Sequence, residues 1–390
     1  MIKMDEQIKC PYIGKCGGCS HIGENYEQQL KDKRKDLAAL FKGIGVDQVI
    51  GMKDPFHYRN KVTCSFGLDS KKHPVFGIYE QNTHKLVPVK HCLIEDERAD
   101  AIMSTVRELF RSLKYKYYDE VSGYGLVRHV MIRTAHQTGH IMVILVLSSP
   151  VLPAKNNFVK ALTNAHPEIS TIVLNVNERD TTFVLGPRNI TLYGPGHIED
   201  ILCGKRFIIS PGSFYQVNSV QTEILYQKAI KLAGLKGSET VIDAYCGIGT
   251  ISLSCADKAK EVIGIELNAD SVADAIKNKQ QNRLSNVRFI NGDAGEVMEH
   301  MAAEGMCADV VFMDPPRSGS TESFMDSVAV LHPAKVVYIS CGPESLARDL
   351  EYFKSIGYKA KNITPVDMFP HTDHCECVVL LSRTAHKPGP

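Results

Sequence analysis

After about residue 210 the chain alternates short apolar runs with helix-like stretches, and this alternation constrains the fold more than any other feature. The apolar runs are ETVIDAY, EVIGIEL, VRFINGD, ADVVFMD and KVVYIS. The helical patterns extend to about Ala256, from about Asp270 to Arg283, from near Thr321 to Leu331, and onward from Pro343. Such alternation predicts a parallel, doubly wound α/β sheet with ligand sites at the carboxyl ends of its strands. Two last runs, near Lys359 to Asp367 and Glu376 to Ser382, predict a closing antiparallel hairpin.

The residues before about 210 follow a different pattern. A cysteine-rich start leads into a charged helical stretch from about Glu24 to Phe41. Strand-like pieces follow, separated by Gly, Pro, Asn and His: KVTCSFGL, PVFGIYE, VRHVMIRTA, HIMVILVLS and STIVLNVN. This half is predicted to be α+β with antiparallel strands. We therefore expect two domains, 1–210 and 211–390, with the helix of residues 24–41 docking on the second.

Charge and hydropathy exclude several classes of protein. With 45 Lys and Arg against 44 Asp and Glu, the net charge of +1 argues against a surface uniformly coated for nucleic acid. The longest apolar run, Ile141 to Leu147, is far shorter than the roughly 18 residues of a membrane span. The polar start MIKMDEQIKC predicts a cytoplasmic protein, which we expect to be monomeric. In a reducing compartment the 12 cysteines are expected to be packed thiols, metal ligands or nucleophiles rather than disulfides.

A glycine turn after the first apolar run indicates a bound cofactor. Asp243 ends the strand, and Gly247 and Gly249 let the backbone approach a ligand at a helix N-terminus. The next strand ends in Glu266, where a carboxylate takes both hydroxyls of a ribose, as it would in a NAD site. The glycines fall short of the full G-x-G-x-x-G pattern, however, and Asp293 at the end of the third strand suits an adenine amino group. Together these features favour S-adenosylmethionine.

The fourth strand ends in the sequence DPPR, Asp314 to Arg317. Enzymes that methylate exocyclic amino groups of nucleic acid bases place an aromatic residue after the two prolines, where it stacks on the flipped base. Arg317 stands in that place, which argues against methyl transfer to an exocyclic nitrogen. Asp314 is then free to hydrogen-bond a base edge.

The fifth strand ends in a cysteine beside the predicted cofactor site. Pro343 suits the first helical position, so the Cys341 thiol faces a helix N-terminus whose dipole favours thiolate. An isolated cysteine would be a small buried hydrophobe, but Glu376 opens the last strand and supplies a carboxylate nearby. Cys375 and Cys377 flank Glu376 and would point the other way in an extended segment, so we expect them to be packing residues.

These groups suit methylation of carbon 5 of a pyrimidine, a carbon that is a poor nucleophile by itself. A thiolate that adds to carbon 6 turns the ring into an enolate, whose carbon 5 attacks the methyl group of a sulfonium. A base then removes the carbon 5 proton and the thiol is eliminated. In this hypothesis Cys341 attacks, Glu376 takes the proton, and Asp314 orients the uracil edge.

The motifs SFYQVN, DAYCGIGT, DPPR, SCGPESLARDL and FPHTDHCE, in this order, resemble those of the RNA uracil-5 methyltransferases. The resemblance covers nearly the whole chain and implies a class I S-adenosylmethionine-dependent, Rossmann-like domain, with Cys341 as nucleophile, Glu376 as proton acceptor and Phe214 near the target. Gly342 stands where the family commonly has Asn, and Cys375 where Val is common. The cofactor residues implied are Gln216, Tyr245, Thr250, Glu266, Asp293 and Asp314.

The sequence CPYIGKCGGC places Cys10, Cys16 and Cys19 in a C-x5-C-x2-C run that suits a metal, and Cys92 is the candidate fourth ligand. Cys64 lies in a strand pattern and is expected to be packed. Spacing alone does not separate zinc from an iron-sulfur cluster. Resemblance to the ribosomal branch of the family implies a 4Fe-4S cluster of structural role, and 23S ribosomal RNA as the substrate.

The target base has to be splayed out of folded RNA, so the first domain is expected to grip a looped or single-stranded region. Many family members begin with a β-barrel RNA-binding domain, which we do not expect here. A transfer RNA substrate, or an idle RNA-binding or assembly factor, remains an alternative, and the KDKRK run is equally a solvated helix face. The candidate RNA contacts are Lys31, Lys33, Arg34, Lys35, His57, Tyr58, Arg59, Asn60, Lys61, Arg128 and His129.

Overall fold

Two large β-sheets, one of seven strands and one of eight, organise the protein. They are seen in a computed structural model, which describes residues 10–68, 73–80, 83, 85–119, 122–179 and 183–384. Within these ranges every helix is too short or too polar to cross a lipid bilayer.

The first half contains three helices and ten strands within the described ranges. The first helix begins after Asn25, whose side chain accepts a hydrogen bond from the Gln28 N–H at 3.0 Å. In chain order the elements are α1 (Tyr26–Leu40), β1 (Gly45–Val46), β2 (Lys61–Leu68), β3 (Pro74–Tyr79), β4 (Leu86–Pro88), α2 (Glu97–Ser112), β5 (Val127–Thr134), β6 (Ile141–Leu147), α3 (Lys155–Ala165), β7 (Ile169–Val176), β8 (Arg188–Tyr193), β9 (Ile198–Leu202) and β10 (Lys205–Ile209).

The seven-stranded sheet has the order β4-β3-β2-β5-β6-β7-β8 and packs α2 and α3 on one face. Alternate residues of β6 enter two different cores, with Ile141 and Val143 on the side of α2 and α3 and Met142 and Ile144 on the other. All neighbouring strands of the seven-stranded sheet are antiparallel except β6 and β7, which are parallel. The prediction of antiparallel strands is wrong for this pair, because α3 forms a helical crossover between them.

The second half follows the predicted alternation. A short 3₁₀ turn, Ala256–Lys258, extends the helix after the glycine turn. The elements are α4 (Ser219–Ala233), β11 (Thr240–Ala244), α5 (Thr250–Cys255), β12 (Glu261–Glu266), α6 (Ala269–Gln281), β13 (Val287–Asn291), α7 (Ala294–Ala303), β14 (Val310–Met313), α8 (Glu322–Val330), β15 (Lys335–Ser340), α9 (Pro343–Ser355), β16 (Tyr358–Val366) and β17 (Glu376–Arg383).

The eight-stranded sheet has the order β1-β16-β17-β15-β14-β11-β12-β13. The five strands from β13 to β15 are parallel, and β17 is antiparallel to both β15 and β16. This confirms the predicted α/β class with its closing hairpin. The chain reverses its direction of growth between β11 and β14, and ligands of such sheets bind at the carboxyl ends of the strands beside that point.

The N-terminal segment and the first sheet both pack against the eight-stranded sheet. β1 pairs in parallel with β16, and α1 lies beside α9. One hydrophobic core contains Met142 and Ile144 of the first sheet together with Leu225 and Ala229 of α4 and Val337 of β15. The two sheets therefore share a core, which fixes the first half of the chain against the face that carries the predicted site.

Candidate functional site

The cysteine and the glutamate meet across one antiparallel ladder. β15 ends at Ser340, which pairs with Cys377 of β17, so the next residues along each strand, Cys341 and Glu376, face each other. Glu376 is buried on the same side of β17 as Val378, whereas Cys375 and Cys377 are buried in the core on the opposite side. The structure therefore places the two predicted catalytic groups together and the flanking cysteines in packing positions, as expected.

The DPPR loop closes over this pair from the neighbouring strand. Asp314 follows β14, which lies beside β15 in the sheet. The Ser345 hydroxyl donates to the carbonyl oxygen of Arg317 at 2.9 Å, which ties the loop to the first turn of α9. A Cβ atom on Gly342 would lie 2.6 Å from that same carbonyl oxygen. Glycine at position 342 therefore allows the Arg317 carbonyl to approach the start of α9 closely.

The charges in this site are unfavourable for a free thiolate. Burial raises the pKa of the Cys341 thiol, and the Glu376 and Asp314 carboxyls raise it further, although the Arg317 guanidinium lowers it. These effects oppose the helix N-terminus, which favours the thiolate, so the thiolate form of Cys341 stays a prediction. Burial also raises the pKa of Glu376, to which the Asp314 charge adds. Burial, with a contribution from Asp243, raises the pKa of Asp314.

The glycine turn and two carboxylates form the other half of the site. Asp243 Oδ2 accepts from the Ser252 N–H at 2.8 Å and its hydroxyl at 2.6 Å, while Oδ1 is buried with no hydrogen-bond partner among the described residues. The Glu266 carboxylate accepts from the Gly247 N–H at 3.0 Å, and a carboxylate has lone pairs left for ribose hydroxyls. A Cβ on Gly249 would lie 2.7 Å from the Phe289 ring. An unsatisfied carboxylate oxygen beside a close-approach turn fits S-adenosylmethionine.

The remaining predicted cofactor residues surround the same end of the sheet. Tyr245 has a left-handed φ of 66°, and its ring lies 5.1 Å from that of Phe324. Asp293 is exposed, and it caps α7 through the Gly295 N–H at 2.9 Å. The loop before α4 supplies the other side of the site, where Gln216 is buried. Phe214 is 61% exposed, which leaves its ring available to a base.

Sequence reasoning missed Tyr226, a buried tyrosine of α4. Its hydroxyl lies 3.2 Å from Thr250 Oγ1. Burial raises the pKa of Tyr226 far above its usual value, and the charges of Asp314 and Glu376 add to the effect. Tyr226 therefore contacts a predicted cofactor residue and lies within electrostatic range of the two predicted site carboxyls. In the sequence it is one apolar position of an amphipathic helix, and no motif marks it.

Comparison with known proteins agrees with this geometry. A model of the tRNA (uracil-5-)-methyltransferase family matches residues 201–384. An uncharacterised RNA methyltransferase of Caldanaerobacter subterraneus subsp. tengcongensis is 42% identical over 379 residues, which are 96% of this chain and 84% of that protein. Another, from Listeria innocua, is 43% identical over 378 residues, 96% of this chain and 83% of that protein. The chain belongs to the RNA uracil-5 methyltransferase family.

A solved structure extends the match to the whole fold. The tRNA (uracil-54, C5)-methyltransferase of Pyrococcus abyssi, in complex with S-adenosyl-L-homocysteine, is 25% identical with a TM-score of 0.79 over 94% of this chain and 86% of that one. The protein is thus an S-adenosylmethionine-dependent enzyme, and the predicted family and fold are confirmed.

The four predicted metal ligands lie around one cavity. Cys10, Cys16, Cys19 and Cys92 line a space of about 50 Å³ with mostly apolar neighbours. Burial raises the pKa of the Cys19 thiol to about 12, and burial also raises the pKa of the Cys16 thiol. Within the described ranges, no group of three or more His, Cys, Asp or Glu side chains is arranged to hold a metal ion. The four thiols are a donor set that suits soft metals. Cys64 is packed in the core between the seven-stranded sheet and helices α2 and α3, as expected.

Several of the predicted RNA contacts are instead structural. Lys33 is buried with Asp367, and the buried Arg128 donates to the Arg179 carbonyl at 2.8 Å and covers the Tyr118 ring. The Tyr58 hydroxyl donates to the Pro370 carbonyl at 3.0 Å, and Asn60 Nδ2 donates to the Gln216 carbonyl at 2.9 Å. The RNA-contact prediction is therefore wrong for these four side chains. Their charge or polarity is used inside the protein.

Other predicted RNA contacts remain accessible. Lys31, Lys35 and His57 are exposed, and Arg59 is partly buried. A cleft of about 300 Å³ beside the loop before α4 is lined by Lys53, His57, Arg59 and His136 together with the acids Asp54 and Asp96. This polar cleft is also lined by Ser219 and Val220, which are close in sequence to Gln216. The partly buried remainder comprises Arg34, Lys61 and His129.

Proposed function

We propose that this enzyme methylates carbon 5 of a specific uridine in 23S ribosomal RNA through a covalent cysteine–uracil intermediate. The observation that carries the chemistry is the ladder between β15 and β17, which sets Cys341 opposite Glu376 with Asp314 beside them. A nucleophile and a base on the same substrate ring are what carbon 5 methylation requires.

The steps assign one task to each side chain. The Cys341 thiol loses its proton to solvent and its sulfur adds to carbon 6 of the uracil. The C5–C6 electron pair moves into the ring enolate, so that carbon 5 becomes nucleophilic, while Asp314 hydrogen-bonds the base edge. The glycine turn with Asp243 and Glu266 would hold S-adenosylmethionine, which would supply an electrophilic methyl group and leave as S-adenosylhomocysteine. Glu376 then removes the carbon 5 proton, and Cys341 leaves as the double bond reforms. Burial keeps the Glu376 carboxyl away from bulk water, and its raised pKa makes Glu376 a stronger proton acceptor than an ordinary glutamate.

The cysteine centre supports the ribosomal assignment. By resemblance, the C-x5-C-x2-C run with a fourth cysteine belongs to the ribosomal branch, and the structure gathers Cys10, Cys16, Cys19 and Cys92 around one cavity. In this proposal the four thiolates hold a 4Fe-4S cluster that ties the N-terminal segment to Cys92. Residues 1–210 would then grip RNA and residues 211–390 would carry out the chemistry.

The decisive experiment is to incubate the purified enzyme with methyl-labelled S-adenosylmethionine and total RNA from a strain that lacks its gene. The RNA is separated by size, digested, and examined for labelled 5-methyluridine. Label in the large-subunit ribosomal RNA supports the proposal. Label in 5-methyluridine of transfer RNA keeps the chemistry but replaces the substrate, and the absence of labelled 5-methyluridine from every size class contradicts the proposed function.

Transfer RNA is the second candidate substrate because of two comparisons. The family model is named for transfer RNA, and the Pyrococcus abyssi relative acts on uracil 54 of transfer RNA. The active-site chemistry is the same for both substrates, so Cys341, Glu376 and Asp314 do not discriminate between them. In this proposal the surface around Phe214 and the polar cleft of His57 and Arg59 discriminate between the two RNAs.

A further inference from the structure

The loop before β17 leads into Glu376, and the N-terminal segment packs around this loop. We call residues 367–375 the base loop, because it leads directly into Glu376. Glu376 Oε2 is buried with no hydrogen-bond partner among the described residues. No neighbouring donor therefore fixes this oxygen, and its position depends on the backbone that delivers it.

Helix α1 holds the start of the base loop through a buried ion pair. Lys33 Nζ lies 2.7 Å from Asp367 Oδ1 and donates to the His374 carbonyl at 3.0 Å, so one ammonium group joins both ends of the loop. The Tyr26 hydroxyl donates to Asp367 Oδ2 at 2.8 Å. Gln29 Nε2 lies 3.2 Å from the His371 ring nitrogen Nδ1 in the middle of the loop.

The segment that follows Cys19 holds the outer side of the base loop. The backbone N–H groups of Ser20 and His21 both donate to the His371 carbonyl at 3.0 Å. The Ser20 hydroxyl donates to Asp373 Oδ2 at 2.6 Å, and His21 Nε2 lies 2.6 Å from Asp373 Oδ1. Asp373 thus receives one contact on each oxygen although its side chain is 68% exposed. An exposed carboxylate in this arrangement is an anchor between two segments about 350 residues apart in sequence.

We propose that residues 20–33 position Glu376 for proton removal by clamping the base loop through Asp367 and Asp373. The inference rests on the proposed function. The step concerned is the last one: the C5–H bond breaks and its proton goes to the Glu376 carboxylate. The electron pair forms the C5–C6 double bond, and Cys341 sulfur leaves carbon 6 as thiolate. Asp373 and Lys33 act through their contacts with residues 20–33 and the base loop, and are therefore positioning residues.

The clamp acts on elimination more than on methyl transfer. Cys341 and Asp314 directly follow β15 and β14, which are central strands of the sheet, and neither residue belongs to the base loop. Loosening the loop therefore leaves thiol addition and methyl transfer in place and slows the proton removal that releases the enzyme. A misplacement of about 1 Å costs roughly 100-fold in such a step. The methylated, covalently bound RNA is then expected to accumulate.

The test compares Asp373→Ala with Asp36→Ala in the full-length enzyme. Asp36 of α1 and Asp373 both line one cavity of about 410 Å³ between α1 and the base loop. Asp36 is an exposed acid outside the base loop, so it is the matched control. We expect single-turnover methyl transfer by Asp373→Ala to match wild type, while decay of the denaturant-stable enzyme–RNA adduct slows by about 10- to 100-fold. Asp373→Asn, which retains an acceptor for the Ser20 hydroxyl, should recover part of the rate.

Hydrogen exchange of the base loop gives a readout independent of activity, and Asp373→Ala should raise exchange there while Asp36→Ala does not. If the wild-type enzyme turns over and the adduct of Asp373→Ala decays at the wild-type rate, the inference is overturned but the proposed function is not. Equal loss of methyl transfer and decay also overturns it, because that result indicates general structural damage. Wild-type enzyme that methylates no uridine overturns the proposed function, and the positioning of a base falls with it.

Discussion

At the scale of single residues, the mechanism depends most on the thiol of Cys341. Removing the sulfur prevents addition to carbon 6, so Cys341→Ala is expected to abolish 5-methyluridine formation. The cofactor residues Asp243 and Glu266 lie on other strands, so binding of S-adenosylmethionine should stay at the wild-type level. Calorimetric titration with the cofactor and a labelled-methyl assay measure the two effects. A fully active alanine variant contradicts the covalent mechanism.

The buried carboxyl pair predicts a pH dependence with a definite sign. Glu376 accepts a proton only when ionised, and its pKa is raised by burial and then by Asp314, so turnover should rise with pH above the ordinary glutamate range. Asp314→Asn removes a negative neighbour of Glu376 and should move the rising limb of the pH–rate profile to lower pH. Arg317→Gln removes a cation and should move it to higher pH. The pKa of Cys341 responds to both groups in the same directions, so the sign holds whichever group limits the rate.

The profile is measured as kcat against pH at saturating RNA and cofactor. The residual activity of Asp314→Asn is sufficient, because only the position of the limb matters. Coincident limbs in all three proteins would contradict the electrostatic assignment.

At the scale of secondary-structure elements, the hydrophobic pattern of the sequence predicted the features that depend on residues close together in the chain. The alternation after residue 210 predicted the parallel strands and their helices, because burial on both faces of the sheet is visible in each apolar run. The start of β17 at Glu376 was also predicted, since a Pro- and His-bearing loop precedes it. By contrast, Lys33 was assigned to RNA, because no local window shows that residue 33 meets Asp367 across the fold. The parallel pairing of β6 and β7 was missed because α3 was not recognised as a crossover.

The ion pair between α1 and the base loop predicts a large stability effect. Lys33 and Asp367 are both buried, and removing one partner of a buried pair leaves an uncompensated charge. Lys33→Met is therefore expected to lower the free energy of unfolding by about 3–5 kcal/mol. Lys35→Met, an exposed change on the same helix, is the control and should alter stability little. Urea denaturation measures both, and equal midpoints for the two variants would show that the pair contributes nothing.

At the scale of the whole molecule, the cavity lined by Cys10, Cys16, Cys19 and Cys92, called the thiol cavity below, is connected through the base loop to Glu376. Cys19 lines the thiol cavity, and the next two residues bind the base loop, which ends at Glu376. Cys92 comes from the segment between β4 and α2, so the same cavity also ties the first sheet to the N-terminal segment. A bound cluster would thus act on catalysis mechanically, because methyl transfer to uracil moves no net electrons.

Loss of one cluster ligand should therefore affect both colour and catalysis. Cys19→Ser is expected to lose visible absorption, iron and acid-labile sulfide, and to slow decay of the RNA adduct in the same direction as Asp373→Ala. Cys307→Ser, an exposed cysteine outside the thiol cavity, is the control and should retain both properties. Absorption spectra, metal and sulfide assays, and adduct decay are measured on the same preparations. Stoichiometric zinc in a colourless wild-type protein would contradict the iron-sulfur assignment. Iron lost from Cys19→Ser with adduct decay unchanged would separate the cluster from the clamp, because the Ser20 and His21 contacts would then hold the base loop without it.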